Sequence, residues 1–454
     1  MTDDVIPAEA SPEGSTSLTE GSPPPPTLLE HPADGVPPVV ESERDLMAAA
    51  EAIAQGEGPV AIDAERASGY RYGQNAYLVQ LRREGSGTWL IDPIACPDLS
   101  PVADAIGGAE WILHAATQDL ACLADVGLRP KQLFDTELAA RLLGMPRVGL
   151  AAVVEHYLGL SLAKEHSAVD WSTRPLPEPW LRYAALDVEV LVEVRNLMGV
   201  DLAAQGKAEW ARQEFTALLG WEPTVRVDPW RRTSGLHRVR HRRGVAMVRE
   251  LWEERDRIAR DRDISPGRVL PDAVVVEIAM AAPTTEDDLP SGHRAVRRYQ
   301  RQWLAAVRRA AALPEAALPP KTLPSDAPPP QRSWAEKDPV AATRLTAVRS
   351  QLLEFAERHA VPVENVCSPE PLRRVVWTPP VNPTPDSFDA ALLALGCRQW
   401  QREIVTPMLV AAFAATPNEA TSAGEPTSPG DAISAGDAAS PAEAAGQGGT
   451  GEPD

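Results

Sequence analysis

Three strand-like runs follow one another with only short turns between them: "PVAIDAE" (59–65), "AYLVQLRR" (76–83) and "TWLIDP" (88–93). In the second, Tyr77, Val79 and Leu81 recur at every other position, the period of an extended chain with two different faces. Around these runs, helix and strand patterns alternate. "LMAAAEAIA" (46–54) reads as a helix before them. After them come a helix near 100–108, a short strand "WILH" (111–114) and a helix "QDLACLADVG" (118–127) ending on Gly127, then "LFDT" (133–136) and "ELAARLLG" (137–144). A last helix begins near Pro179, a residue suited to a first turn, and runs through "WLRYAALDVEVLVEVRNLM" (180–198). The succession predicts an α/β domain with a mixed central sheet and flanking helices.

Beyond residue 218 strand signals largely vanish. "GVAMVRELWEERDRIARDRD" (244–263) reads as an amphipathic helix, and "AATRLTAVRSQLLEFAERHA" (341–360) opens a second helical group. The 454 residues therefore divide into an acidic, Pro-rich disordered tail (1–38), the α/β domain (39–218), a small all-α domain (232–310), a Pro-rich linker (311–334), a second helical domain (335–413) and a disordered acidic tail (414–454). The net charge of −20 is misleading about partners. Residues 1–40 and 414–454 each hold seven acids and no Lys or Arg, whereas 230–310 hold 18 Arg against 11 acids. The four cysteines have neither zinc-ligand nor disulfide-framework spacing, and no apolar run spans a bilayer; a soluble protein of a reducing cytoplasm follows.

Acids stand where a core edge should exclude them. Asp63 and Glu65 are i and i+2 on a strand, so they project to one side, where two anions repel unless a cation lies between. Mg²⁺ or Mn²⁺, with their preference for hard oxygen ligands, is the usual answer. Asp119 opens the helix after "WILH"; as a plain structural residue it complements a helix dipole. Asp187 lies mid-helix, where Asp is a poor choice, with Tyr183 four residues earlier on the same face.

Together, D-x-E on a first strand, an Asp after a later strand and Y-x-x-x-D on a late helix resemble the DEDDy exonucleases. "FDTELAARLLG" (134–144), "DWSTRPL" (170–176) and "YAALDVEVL" (183–191) narrow the resemblance to ribonuclease D, over residues 40–215. The region 232–310 resembles an HRDC module, and 335–413 more faintly the further helical domain of that family. The resemblance implies a ribonuclease H-like fold and 3′→5′ removal of nucleotides from RNA as 5′-monophosphates, tRNA precursors being the family's usual substrate. It also implies two divalent ions held by Asp63, Glu65, Asp119 and Asp187, with Tyr183 orienting the attacking water. Arg66 departs from the family, in which an aromatic or apolar residue usually follows the glutamate; it is a candidate for base or phosphate contact, as are Tyr70 and Gln74 on the loop with Ser68, Tyr72 and Asn75. Arg238, Arg240, Arg242 and Arg243 are candidate RNA-backbone contacts in an arginine-rich stretch that also holds Arg231 and Arg232. His114 reads as a packing residue at a strand end and Asp135 as a helix N-cap. The expected enzyme is a monomer acting on RNA, with no membrane and no zinc site. The alternatives are a DNA exonuclease of the same fold and a catalytically silent RNA-binding protein.

Overall fold

The computed structural model describes residues 25–163, 166 and 168–416. Strands β1 (Thr27–Leu29), β2 (Val39–Val40), β3 (Glu57–Arg66), β4 (Ala76–Glu84), β5 (Gly87–Ile91), β6 (Trp111–Leu113), β7 (Leu133–Asp135) and β8 (Leu160–Leu162) form two sheets. Six of them make the central sheet in the order β2-β5-β4-β3-β6-β7. The β3–β4–β5 meander is antiparallel, while β6, β7 and β2 add in parallel, so the sheet is mixed as expected. Two-residue periodicity assigns the faces of β3. Val60, Ile62 and Ala64 join a core under the helices α1 (Glu43–Gln55) and α2 (Ser100–Ile106). Ala61 faces the other way, against Val188 and Leu191, and Asp63 and Glu65 continue that second face.

The remaining helices of this domain are α3 (Leu120–Asp125), α4 (Thr136–Leu142), α5 (Leu150–Leu158), α6 (Glu178–Glu189), α7 (Leu191–Ala204) and α8 (Ala208–Leu219). The single helix expected from Pro179 onward is two, α6 and α7, meeting at Val190. The stretch "VEVLVEV" supplies a β-branched residue at almost every second position there, a poor sequence for an unbroken helix.

The segment before α6 is pinned from the sheet side. Arg174 forks onto Asp92, Nε to Oδ2 at 2.6 Å and Nη2 to Oδ1 at 2.8 Å, and also donates to the carbonyls of Tyr77 and Trp171. Asp92 is buried, and the Arg174 guanidinium holds its carboxyl below the usual range despite that burial. Arg174→Ala should cost about 3 kcal/mol, because it leaves a buried carboxylate without its partner. A carboxyl depressed in the folded state stabilises above its unfolded pKa and loses that contribution as pH falls through the folded value. The wild type should thus lose this increment below about pH 4, and the Tm gap between wild type and R174A should close there.

Residues 1–24 and 417–454, most of the two expected tails, lie outside the described residues. The part of the first tail that is described, 25–38, is held in place. Strand β1 pairs in parallel with β8, Leu29 packs on a core, Ala33 N–H donates to Glu189 and Asp34 pairs with Arg82. Its few apolar residues suffice because a partner strand receives them, which its Pro-rich composition does not disclose.

Three long helices (Arg242–Asp261, Asp272–Ala281 and Gln300–Ala312) pack around Trp303, Val248 and Leu251 in the first helical region. The Pro-rich stretch that follows is strapped down: Leu318 enters that core, and Arg373 and the Trp334 indole donate to the carbonyls of Pro328 and Pro329. The second helical region is built on Pro339–Arg358 and Gln399–Ala415. It does not stand apart from the α/β domain, because one apolar core runs from Phe134, Val194 and Phe215 through Leu345, Trp400 and Phe413. Trp210 and Trp400 stack with ring centroids 4.7 Å apart across this seam. A cut that removed 225–413 would expose that shared core to water.

Candidate active site

The carboxylates meet where β3 ends against α6. Asp63 and Glu65 come from the strand, and Asp187 comes from the helix covering it. Their oxygens lie within 4.8 Å of one another. Glu65 is buried and Asp63 half-buried, and Gln80, opposite Asp63 in β4, reaches its Oδ2 at 3.4 Å. Tyr183, one turn before Asp187 on the same helical face, places its hydroxyl beside that carboxylate.

Asp119 lies outside that trio and lines the same cavity. It is the N-cap residue of α3, but its side chain makes no capping bond; it faces Arg66 at 3.4 Å. The turn carrying it is fixed by Asp135, which caps α4 as expected and also accepts from the backbone N–H groups of Ala115 and Ala116. Ala115 there has φ +58°, and the two bonds hold this left-handed turn. Sequence reasoning gave Asp135 only the cap; a buried Asp at a strand end facing a second loop has no linear signal.

Burial dominates the electrostatics. It pushes all four carboxyls up: Asp119 to about 8, Glu65 and Asp187 well above their usual values, Asp63 more modestly, with the neighbouring acids adding to the rise for Glu65, Asp119 and Asp187. Burial likewise pushes the Tyr183 phenol above its ordinary value, so it stays a proton donor. Among the described residues Arg66 is the cation beside these acids, and one positive charge does not neutralise four. A cluster of hard oxygen donors under such a penalty fits divalent cations, which offset it. The site opens into a cavity of about 460 Å³ walled also by His114, Gln118, Leu150 and Leu162.

The other candidate contacts divide. Arg66 lies in the cavity. Gln74 is exposed and accepts from Ser68 Oγ; Asn75 is exposed. Tyr70 and Tyr72 instead dock the first helical region. Arg268 lies over the Tyr70 ring at 4.1 Å, and the Tyr72 hydroxyl meets Asp256 and Arg260. Arg238 and Arg240 are exposed. Arg242 and Arg243 act differently. They donate to the carbonyls of Leu318 and Pro319, and of Ala311 and Leu313, tying off the end of the helix Gln300–Ala312. A guanidinium satisfies several orphan carbonyls at once, which makes these two arginines structural anchors.

Residues 38–203 match the model of the 3′-5′ exonuclease family, 245–307 the HRDC domain and 327–413 the 3′ to 5′ exonuclease C-terminal domain. Ribonuclease D of Gluconacetobacter diazotrophicus is 31% identical over 76% of this chain and 87% of its own length. The chain belongs to the ribonuclease D family. It is accordingly a 3′→5′ exoribonuclease, of a class that uses divalent metal. Its fold is similar to that of a Bifidobacterium adolescentis protein (38% identity, 86% of this chain and 100% of that one, TM-score 0.78). It is also similar to Escherichia coli RNase D, an exoribonuclease involved in structured RNA processing (26% identity, 84% and 99%, TM-score 0.61). Among the described residues no helix is long and apolar enough to cross a membrane.

Proposed function

We propose that this ribonuclease D family member trims RNA 3′ ends, tRNA precursors among them, in the cytoplasm and as a monomer, using two divalent cations held by Asp63, Glu65, Asp119 and Asp187. The exonuclease domain of this reading is 39–218, followed by HRDC-like domains at 232–310 and 335–413. The observation that carries it is the convergence of Asp63, Glu65 and Asp187 within 4.8 Å, with Asp119 lining the same cavity. Divalent ions bound there would activate water at neutral pH and stabilise the leaving 3′-oxygen. Asp63, Glu65 and Asp187 would hold the ion near the attacking water, and Asp63 with Asp119 the other. Tyr183, steadied by Asp187, orients the attacking water through its hydroxyl and keeps its own proton. Arg66 leans on Asp119 and is positioned to meet the phosphate of the terminal linkage.

Incubation of a 3′-overhanging RNA with Mg²⁺ or Mn²⁺ should release 5′-monophosphates one at a time, and a chelator should stop it. Endonucleolytic products or metal-independent cleavage would refute the reading. A parallel DNA oligonucleotide tests the sugar preference. In the absence of RNA, millimolar Mn²⁺ should raise the Tm, because a ligand bound a hundredfold above its Kd adds about 2.7 kcal/mol to the folded state. Asp187→Asn should blunt that rise.

A further inference from the structure

His114 follows directly on the strand β6 that leads to Asp119, and it lines the cavity shared with the four acids. Its Nδ1 lies 2.9 Å from the hydroxyl of Thr136, a fully buried residue at the start of α4. That hydroxyl has a single proton, and it goes to the Leu113 carbonyl, 3.3 Å away and able only to accept. With that proton on the Leu113 carbonyl, the Thr136 oxygen accepts from His114, the arrangement in which Nδ1 carries the imidazole proton. Burial lowers the His114 pKa to about 4, so at neutral pH the ring has no second proton. Nε2 is left as a bare acceptor. It has no partner among the described residues, and it is not one of the sealed polar atoms, so it reaches the open cavity.

The carboxylates beside it fix what comes within reach. On the proposed reading, cations held by these carboxylates would bind the terminal phosphodiester, which brings the sugars on either side of it to the cavity wall that His114 lines. An exonuclease that removes every nucleotide in turn needs contacts common to all four. On the sugar, the donors that meet this condition are hydroxyls, and the 2′-hydroxyl is the one that separates RNA from DNA. We infer that His114 Nε2 accepts a hydrogen bond from a ribose 2′-hydroxyl at the 3′ terminus, making His114 a determinant of RNA-over-DNA specificity. This deepens the exoribonuclease reading and rests on it.

The experiment uses the full chain with Mg²⁺ and three single-stranded RNAs that differ only in the last nucleotide: ribose, 2′-deoxyribose or 2′-fluoro. The readout is kcat/KM for the first release. The wild type should favour the ribose end over the deoxy end by roughly tenfold, the worth of one good hydrogen bond. The 2′-fluoro end, which cannot donate, should behave as the deoxy end. His114→Ala should collapse the preference to within about twofold, and His114→Gln, which can still present an acceptor, should keep part of it. A preference that survives in H114A, or a 2′-fluoro end processed as fast as ribose, overturns the inference. The fluoro comparison needs no variant, so it decides even if H114A fails to fold. Inactivity of the wild type on all three ends would instead defeat the exonuclease reading.

Discussion

Asp63→Asn should reduce exonucleolytic turnover by at least about a thousandfold, since on the proposed reading Asp63 would help hold the metal ions, and losing such a ligand would cost several kcal/mol of transition-state charge stabilisation. The protein should stay folded. Asp63 is packed beside Glu65 and near Asp187, and burial already raises the cost of its charge, so the isosteric amide relieves repulsion. With a chelator present, the Tm of D63N at pH 8 should therefore equal or exceed that of the wild type. Single-turnover digestion of a 5′-labelled RNA and a thermal melt of the same preparation separate the two effects. Turnover within tenfold of wild type would remove Asp63 from the metal site. Lost turnover with a lowered chelator Tm would make it a structural residue.

Trp400→Ala should be the most destabilising single change outside the catalytic cavity, at about 3–5 kcal/mol, the cost of a fully packed Trp. Trp400 is 2% exposed, stacks on Trp210 and donates its indole N–H to Glu214 Oε1 at 2.9 Å. Removing it opens a cavity in the core shared by the α/β domain and the last helical region, and it deprives a buried carboxylate of one partner. Arg398, at 3.4 Å, remains for Glu214. Because the core is shared, denaturant unfolding should shift as one transition for both regions. Two separate transitions, with only the later helices destabilised, would show that the regions fold independently. Deletion of 335–413 should give insoluble protein for the same reason.

The residue types that make the site were legible because each violates local expectation. Two acids share one face of a strand, an Asp interrupts a helix, and a Tyr precedes it by one turn. Such violations are read without coordinates, since period and propensity are properties of short segments. Arg242 and Arg243 show the opposite case. Their charge invited a phosphate reading, yet they lie against the carbonyls of Leu318 and Ala311, more than sixty residues away in the chain. Tyr70 and Tyr72 likewise read as loop residues near the substrate, and their partners Arg268 and Arg260 come from another part of the chain.

The linear order of apolar, charged and turn residues by itself determined the mixed sheet, the strand carrying Asp63 and Glu65, and the helix carrying Tyr183 and Asp187, because these depend on neighbours within a few positions. Only the tertiary structure decided that Asp135 fixes the turn before Asp119, that Thr136 meets the His114 imidazole, that residues 27–29 are a strand, and that the last helical region shares its core with the nuclease. Each of those rests on a hydrogen bond or an apolar contact between segments far apart in sequence. Such contacts form only when the entropy of closing the intervening loops is offset by everything else packing at once.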